Sequence, residues 1–372
     1  CYSVPAFFKK YFCNNLNNLI DIPMVKTLCI SNETENLISF KEAFGNFIES
    51  IESTKSVTFS SNLLKDIFSL YKTNFVNLDI NYRILAEFFE NFALSTDKDL
   101  NDISRSILKE NMDNAYFDSL KKMNYYFIND FPSFTNKEKV YTQNNLFRDL
   151  EISPNTLIII SDALTYNLAY EFVRNKDYIY DDHNLISDLP SETEVCYNSY
   201  FITDEIVQLD DKNRLSLEKE GKDITYVRKW RLEKLKEIFG TAIDFDDFKT
   251  DKDYKGIVLW QHDEIDKAIH GSCDNKRLRI LTEEVFQTID YALERGFNIL
   301  LLSDHGHIPV SKKFMLFDDI NINKKKDRYL VVNKDENLEK SIYLDNIPLP
   351  SYVDIGEKKL AFINSVNSLK EC

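Results

Sequence analysis

NILLLSDHGH, which runs from Asn298 to His307, is the stretch that decides the fold. Four apolar residues, Ile299 to Leu302, lead directly into a polar turn that contains a glycine. A short apolar run of this kind is typical of a buried parallel strand, and open α/β sheets bind ligands at the carboxyl ends of their strands. Asp304 and His305 at that position predict a divalent metal ion with oxygen and imidazole ligands. The alternative is that Asp304 only caps the following segment.

Two further segments have the same construction. TLIIISDAL, which begins at Thr156, is an apolar strand that delivers Asp162 into a helix. GIVLWQHDEIDKAIHG, which begins at Gly256, is a strand followed by acidic residues and His270. Core packing alone does not require three apolar strands that each end in Asp or His. Together the three segments indicate metal chemistry at one edge of a parallel sheet.

The region after about residue 154 alternates between strand and helix patterns, which predicts a parallel sheet with crossover helices. The expected strands lie at 157–161, 256–261 and 298–303 as neighbours, with another at 329–332. The charged stretch between Phe201 and Gly240 is expected to be mostly helical, with the glycine as its stop signal. The predicted fold class is therefore α/β, a parallel-rich sheet flanked by helices.

The first 150 residues have a different pattern. Apolar residues recur there at helical spacing, as in Leu64, Ile67 and Phe68, and strand alternation is not evident. The helices are expected to end near Pro132, because proline breaks the helical period. We therefore expect a helical N-terminal domain, residues 1–150, followed by an α/β domain, residues 151–372.

Length and composition indicate a globular protein with a large core. The chain has 372 residues, of which 43% are hydrophobic and 29% charged, and it has no apolar run of about 18 residues, so no membrane span is predicted. Its six cysteines lack C-x-x-C spacing, which favours a reducing cytoplasm. A net charge of −15 opposes general adhesion to nucleic acid, although a locally guided nucleic-acid substrate stays open. The chain has no signal-peptide pattern, and because it lacks an initiator Met we expect a fragment or a processed form of a longer protein.

Asp266 and His270 form a second candidate pair of metal ligands. They are four residues apart in DEIDKAIH, and on a helix that spacing places both side chains on one face, where they can share an ion. The alternative is an ordinary Asp–His pair on a solvated face. The pair becomes more specific beside the two segments that contain Asp162 and Asp304.

Thr193, within LPSETEV, is the candidate nucleophile. Pro190 fixes a turn, and Thr193 follows where a helix is expected to begin. A hydroxyl at a helix N-terminus lies near free backbone N–H groups that can bind phosphate or a developing oxyanion. The alternative is that Ser191 or Thr193 is only the helix cap, with Glu194 nearby.

The order of these motifs carries a family resemblance. SDAL, then LPS-x-T, then D-x-x-x-H, then SDHGH resembles the PglZ domain of the alkaline phosphatase superfamily, over about residues 154–335. The helical region that contains YRILAEFF is weakly similar to regions that precede PglZ domains in BREX-type phage-defence proteins. The resemblance implies an alkaline-phosphatase-like sheet and a phosphoryl-transfer centre with two metal ions, usually zinc.

The resemblance also assigns roles to residues. Asp162, Asp304 and His305 would hold one ion, with Thr193 as nucleophile, and Asp266 and His270 would hold the second. Members of the superfamily complete the second site with a late histidine, but this chain has no histidine after His307. The sequence leaves three explanations open: the fragment ends too early, the second ion binds poorly, or another residue substitutes, namely His307, Asp318 or Asp319.

Three functional hypotheses follow from the resemblance. The first is a metal-dependent phosphodiesterase, phosphatase or nuclease that acts on a phosphate ester, with nucleic acid as one candidate substrate. The second is a degenerate PglZ domain that serves as a structural or interaction module among defence-system proteins. The third is a phosphomutase or other transferase on the same fold. The first is the interpretation that we develop below.

Overall fold

The computed structural model describes residues 35–58, 64–91, 109–110, 112–120, 123, 141–187, 193–202, 206–209, 215–271, 274–306, 329–333, 351–355 and 358–362. Contacts divide the chain into two compact units, residues 1–135 with 274–276 and residues 136–273 with 277–372. Division into functional domains at residue 150 stays a prediction. Among the described helices, none is long and apolar enough to span a bilayer.

The described residues of the first unit are mainly helical, which confirms the expected N-terminal helical region. Its helices are α1 (Glu35–Lys55), α2 (Leu64–Leu70), the π-helical turn Tyr71–Phe75 and α3 (Val76–Asn91), and residues 112–120 are also helical. Phe47, Phe75 and Leu85 are buried, so the apolar residues at helical spacing form the buried faces of these helices. The helix end expected near Pro132 lies outside the described residues.

The second unit contains a parallel sheet, as predicted. Its described strands are β2 (Thr156–Ser161), β7 (Ala242–Asp244), β8 (Ile257–His262) and β9 (Asn298–Leu302), in the order β7-β8-β2-β9. All three pairings are parallel. Every residue of β2 is buried, because neighbours and helices cover both of its faces. The predicted strands are confirmed as neighbours in one sheet.

Six helices of this unit accompany the sheet: α5 (Tyr166–Val173), α6 (Thr193–Ser199), α7 (Arg228–Phe239), α8 (Phe245–Thr250), α9 (Glu264–His270) and α10 (Asn275–Glu294). Alternate residues of the strands enter two separate cores. Ile158 and Leu259 pack with Tyr197 of α6 and Leu235 of α7. Leu157 and Val258 pack with α8 and α10 in the other core. The sheet is therefore a buried central layer between helices.

The stretch before α7 differs from expectation. It is not mostly helical: the strands β4 (Ile206–Leu209), β5 (Leu215–Lys219) and β6 (Lys222–Asp223) form an antiparallel sheet. The reason lies in LSLEKEGKD, where apolar and polar residues alternate before a two-residue turn. Glu220 and Gly221 both have positive φ, 52° and 73°, as a type I′ hairpin turn requires.

The remaining described strands lie in small sheets. β1 (Tyr141–Thr142) pairs in parallel with β3 (Leu185–Ile186), and the short helix α4 (Leu146–Asp149) follows β1. The expected strand at residue 329 is β10 (Tyr329–Asn333), which pairs with β12 (Lys358–Phe362), and β12 also pairs with β11 (Ser351–Ile355). Both pairings are antiparallel. This three-stranded sheet is separate from the parallel one.

Candidate metal centre

Asp162, Asp304 and His305 meet at the carboxyl edge of the parallel sheet. One ligand atom from each lies within 4.8 Å of the others. His305 Nε2 is 3.5 Å from Asp162 Oδ1 and 3.4 Å from Asp304 Oδ2. Asp162 and Asp304 are buried, and His305 is partly buried. The structure therefore brings together two carboxylates and an imidazole from two neighbouring strand ends.

The register of the strands explains this convergence. Thr156 of β2 pairs with both Ile257 of β8 and Asn298 of β9, so the carboxyl ends of the three strands are level. The Asp162 N–H donates to the His262 carbonyl at 2.7 Å, which extends the pairing of β2 and β8 by one residue. A level edge places every residue that follows a strand beside its counterparts.

Ala163 connects the two carboxylates through a strained backbone. Its φ is 60°, a conformation that costs a residue with a Cβ roughly 1–3 kcal/mol. In this conformation the Ala163 N–H donates to Asp304 Oδ1 at 3.1 Å. The turn after β2 therefore holds Asp304 in place, and its strain falls next to the candidate site, as is common at functional sites.

Two polar side chains fix the segment after β9. Gln143 Nε2 donates to the Asp304 carbonyl at 2.6 Å, and the Tyr200 hydroxyl donates to the Ser303 carbonyl at 2.7 Å. The Ser303 hydroxyl itself donates to the His305 carbonyl at 2.6 Å. These bonds satisfy backbone acceptors that the sheet leaves unpaired at this edge. They also define the path of the chain through both ligands.

The surroundings of His305 leave one ring nitrogen available as a ligand. Nδ1 lies 3.3 Å from the Gly306 carbonyl, which can only accept, so in the neutral ring the proton belongs on Nδ1. Nε2 then carries a lone pair directed at the carboxylates. A backbone carbonyl on one nitrogen commonly fixes the tautomer of a metal-binding histidine in this way.

The electrostatics of the two carboxylates favour a cation. Burial raises the pKa of Asp162, and repulsion from Asp304 and Asp266 raises it further. Burial also raises the pKa of Asp304. Two buried carboxylates at this separation resist simultaneous ionisation unless a positive charge lies between them. The pair is therefore a site where a divalent cation removes an unfavourable interaction.

One oxygen of the cluster has no hydrogen-bond partner. Asp304 Oδ2 is buried and accepts no hydrogen bond from the described residues. An unsatisfied buried carboxylate oxygen costs folding free energy unless an ion or water meets it. Two ligands ~2.1 Å from a common zinc ion at a tetrahedral angle lie roughly 3.4 Å apart. The observed separations of 3.4 and 3.5 Å match that value, so these residues fit a metal ion.

Thr193 lies at the start of α6 and faces this cluster. Its hydroxyl is 2.9 Å from His305 Nε2 and 3.4 Å from Asp162 Oδ1. With the His305 proton on Nδ1, the threonine hydroxyl is the donor to Nε2 in this structure. An ion held by Nε2 would occupy the same lone pair, and the hydroxyl would then donate to Asp162 Oδ1 instead. The Thr193 hydroxyl is thus a fourth polar group beside the two carboxylates and the imidazole, on the side of the cluster that faces α6. Ser191, the other candidate hydroxyl, lies outside the described residues.

The remaining candidate ligands lie apart from this cluster. Asp266 Oδ1 is 3.5 Å from His270 Nε2, and its charge acts on Asp162. His270 is mainly in solvent, with 75% of its side chain exposed. Among the described residues, neither side chain belongs to the group Asp162, Asp304 and His305, whose geometry could hold a metal ion. His307, Asp318 and Asp319 lie outside the described residues.

Comparison with known families identifies the chain. The sequence family described as the BREX system PglZ alkaline phosphatase-like domain matches residues 143–346, more than half of the chain. The chain belongs to the PglZ family. The match contains all the expected site residues, from Asp162 to His307. No curated protein matches the chain.

Several residues that support the PglZ site escaped the sequence analysis. Gln143 and Tyr200 contact the chain around Asp304 from positions 161 and 103 residues away from their partners. Arg231 is buried below α6. No spacing pattern relates such residues to the metal motifs, because they meet them only through the tertiary fold.

Proposed function

We propose that this PglZ domain is a metal-dependent phosphoryl-transfer hydrolase, a phosphodiesterase or phosphatase, with Thr193 as its nucleophile. The observation that carries the proposal is the position of the Thr193 hydroxyl, 2.9 Å from His305 Nε2 and 3.4 Å from Asp162 Oδ1. A hydroxyl held beside the imidazole and one carboxylate of a cluster that fits a metal ion is the arrangement needed to activate an alcohol for attack on phosphorus.

Each residue has a defined task in this proposal. Asp162, Asp304 and His305 would hold a divalent ion, most simply Zn²⁺, which when bound lowers the pKa of a nearby hydroxyl and offsets negative charge on phosphate. Thr193 gives up its hydroxyl proton to solvent, and Oγ1 forms a bond to phosphorus while the bond from phosphorus to the leaving oxygen breaks and that oxygen takes up a proton. Water then attacks phosphorus, the bond from phosphorus to Oγ1 breaks, and the proton that the water loses returns to Oγ1. During both steps His305 keeps its proton on Nδ1, which donates a hydrogen bond to the Gly306 carbonyl.

We propose the second ion at Asp266 and His270, with His307 as a further ligand. The 3.5 Å contact between Asp266 and His270 supports a shared ion. We expect weaker binding there than at the first site, because the exposed His270 side chain loses conformational freedom when it is fixed. Asp266 also supplies negative charge that acts on Asp162.

The exposure of His270 favours a second candidate function, a non-catalytic PglZ module in a defence assembly. Metal stoichiometry separates the two functions. Dialysis against excess Zn²⁺ followed by elemental mass spectrometry should give one or two tightly held ions per chain for the hydrolase. A module without the metal chemistry retains none.

We also propose a substrate class, a biological role and a cellular location. We propose a phosphate ester, with nucleic acid as one candidate, and a role in anti-phage defence that the BREX description of the family supports. Partner proteins of the same defence system are expected on this basis. The dispersed cysteines, of which Cys196 is buried and free, support a cytoplasmic setting.

Hydrolysis of bis(p-nitrophenyl) phosphate by Zn²⁺- or Mn²⁺-loaded protein tests the function. Thr193→Ala should lose most turnover while zinc content stays unchanged, and Thr193→Ser should retain part of it because a hydroxyl remains. Thr250→Ala is the matched control, since among the described residues the Thr250 hydroxyl donates only to the Asp247 carbonyl of its own helix. Full turnover in folded Thr193→Ala would eliminate Thr193 as nucleophile.

A further inference from the structure

Arg231 is a buried cation with unusual partners. It lies in α7 and is 5% exposed. Within the described part of the chain, no carboxylate lies within ion-pair distance of its guanidinium, although buried charges are normally paired. Burial of a guanidinium without an adjacent anion costs free energy, so other contacts must offset that cost.

Neutral oxygens take up the guanidinium donors. Nε donates to Asn198 Oδ1 at 2.9 Å, and Nη1 donates to Gln261 Oε1 at 2.9 Å. Nη2 donates to the Thr225 carbonyl at 2.8 Å. The flat face of the guanidinium covers the Tyr197 ring, 4.2 Å from its centroid. Arginine alone offers this rigid planar set of donors together with a stacking face.

Two of these contacts lead to the helix that begins with Thr193. Asn198 and Tyr197 both belong to α6. The Asn198 amide also donates to the Glu194 carbonyl, at the residue after Thr193, at 2.9 Å. The Tyr197 hydroxyl donates to the Ile160 carbonyl of β2, two residues before Asp162, at 3.1 Å. Arg231 therefore contacts α6 at Asn198 and Tyr197. Asn198 is bonded to the backbone next to Thr193, and Tyr197 is bonded to β2, the strand that precedes Asp162.

The third side-chain contact leads to the neighbouring strand. Gln261 lies in β8 directly before His262, and the His262 carbonyl accepts from the Asp162 N–H at 2.7 Å. The Arg231 charge is also attracted to Asp162 and Asp304, which opposes the lowering of its pKa by burial. The guanidinium thus joins α6, β8 and the hairpin end at Thr225 behind the cluster.

We propose that Arg231 is a positioning residue that holds Thr193 of α6 in register with the metal ligands on the sheet. The inference rests on the proposed function, because it matters for turnover only if Thr193 is the nucleophile. Arg231 acts through Asn198 and Tyr197. It contacts neither the ligands nor the Thr193 hydroxyl, so its removal should affect the alignment of the attack more than the binding of substrate or metal.

Lysine and methionine separate positioning from charge. Arg231→Lys keeps the positive charge but cannot make three planar bonds or stack on Tyr197 in the same way. Arg231→Met keeps an unbranched side chain about as long as the aliphatic part of arginine and removes the guanidinium with its charge. Positioning predicts similar losses in both variants, whereas a role as counter-charge alone predicts that lysine restores activity.

The experiment measures kcat, KM and zinc affinity on the zinc-loaded 372-residue chain with bis(p-nitrophenyl) phosphate. Arg231→Lys should lower kcat by about 10- to 100-fold, as misalignment of a reacting group does, with KM and zinc affinity within about twofold of wild type. The matched control is Arg228→Lys, on the same helix, where an exposed arginine pairs with Asp263. The control should leave kcat unchanged.

A double-mutant cycle tests the route through α6. Asn198→Ala removes the acceptor of the Nε bond, and combining it with Arg231→Lys should cost little more than the larger single change, because both disrupt one connection. Additive effects would overturn the proposal. If the Arg231 variants fail to fold, Asn198→Ala decides alone: unchanged kcat overturns the proposal, and a selective fall in kcat supports it.

A readout other than turnover separates this inference from the proposed function. The Thr193 methyl resonance should shift when Zn²⁺ is added to wild type, and the shift should be reduced in Arg231→Lys at equal zinc occupancy. Inactive wild type or active Thr193→Ala sinks the proposed function. Intact kcat and an unchanged methyl shift in folded Arg231→Lys, beside an inactive Thr193→Ala, sink the inference about Arg231 alone.

Discussion

At the scale of single residues, Asp304 has two carboxylate oxygens in different situations. Oδ1 accepts from the Ala163 N–H, whereas Oδ2 is buried and accepts no hydrogen bond from the described residues. In water both oxygens would be solvated, so folding has removed solvation from Oδ2 without replacing it. An ion that meets Oδ2 restores this interaction, and the free energy that it recovers contributes to metal affinity.

Asp304→Asn should therefore weaken zinc binding strongly. The substitution replaces an anionic oxygen with an amide and removes one of three ligands. The loss of affinity should exceed the roughly 10–100-fold that is typical when a residue behind the ligands is removed. Competition with a chromophoric chelator measures the affinity. Asp263→Asn is the control, since Asp263 follows the neighbouring strand β8 and pairs with Arg228 and Lys267 instead; equal losses in both variants would contradict the site.

The site residues that could be predicted from the sequence are those that directly follow a strand. Asp162, Asp304 and His305 follow apolar runs directly, and parallel pairing brings the ends of such runs together. The sequence could not supply Arg231 or Tyr200, because the partners of these residues are chosen by how helices pack on the sheet. The exposure of His270 could not be predicted from the sequence either. Helical spacing shows that Asp266 and His270 share one face of a helix, but not whether that face is buried or in solvent.

At the scale of elements, glycines in two helices should respond oppositely to alanine. Gly240 ends α7 with φ of 81°, where a Cβ would find open space but a strained backbone. Gly240→Ala should destabilise the protein by about 1–2 kcal/mol. Gly45 lies inside α1, also with open space around a Cβ and without a positive φ. Gly45→Ala should stabilise its helix by about 0.5–1 kcal/mol.

Urea unfolding monitored by circular dichroism measures both changes. Each substitution adds the same methyl group to open space, so the pair separates backbone strain from packing. A stabilising Gly240→Ala would show that the backbone at the end of α7 relaxes to negative φ. A destabilising Gly45→Ala would show that the α1 surface at this residue is covered in the folded protein.

Asp290 of α10 provides a pH-dependent link between elements. It accepts from Lys176 Nζ at 2.7 Å and from the Tyr178 hydroxyl at 2.5 Å, both in the loop after α5. The hydrogen bond from Lys176 lowers the pKa of Asp290, and the bond from Tyr178 lowers it further. A carboxyl with a lowered folded-state pKa stabilises the fold above its unfolded pKa and loses that contribution as pH falls through the folded pKa.

Asp290→Asn should therefore destabilise the protein near ~pH 7 and have a vanishing effect well below ~pH 4. The pair is about 40% exposed, so the ionic part of the effect is small, about 0.2–1 kcal/mol. Thermal melts of both proteins across the pH range measure the difference. Asp177→Asn, an exposed carboxylate in the same loop, is the control. A difference that grows as pH falls would contradict the assigned sign.

The elements themselves were predictable where one pattern dominated. β2, β8 and β9 are continuous apolar runs, which parallel sheets require, and their positions agree with the expected strands to within a residue or two. The sequence does not predict the hairpin of β5 and β6, because this stretch is highly charged and leads directly into α7. The helical pattern of α7 masks the strand pattern of the residues before it. Glu220 and Gly221 were the overlooked turn signal.

At the scale of the whole molecule, the two compact units should differ in their response to metal. All of Asp162, Thr193, Asp304 and His305 lie in the second unit, as do both tryptophans of the chain, Trp230 and Trp260. Tryptophan fluorescence therefore reports the second unit, whereas helical circular dichroism reports both, since the described part of the first unit is helical. The two signals can be recorded on one sample.

Zinc should shift the fluorescence transition more than the helical one. A ligand at 100 times its Kd stabilises the state that binds it by about 2.7 kcal/mol, which for a unit of this size corresponds to a rise in Tm of roughly 5–10 °C. The circular dichroism trace should broaden or split, because the helices of the first unit bind no metal in this scheme. Asp304→Asn should abolish the fluorescence shift and leave the zinc-independent part of the trace in place. Coincident transitions that move together with zinc would show that the two units unfold as one cooperative structure.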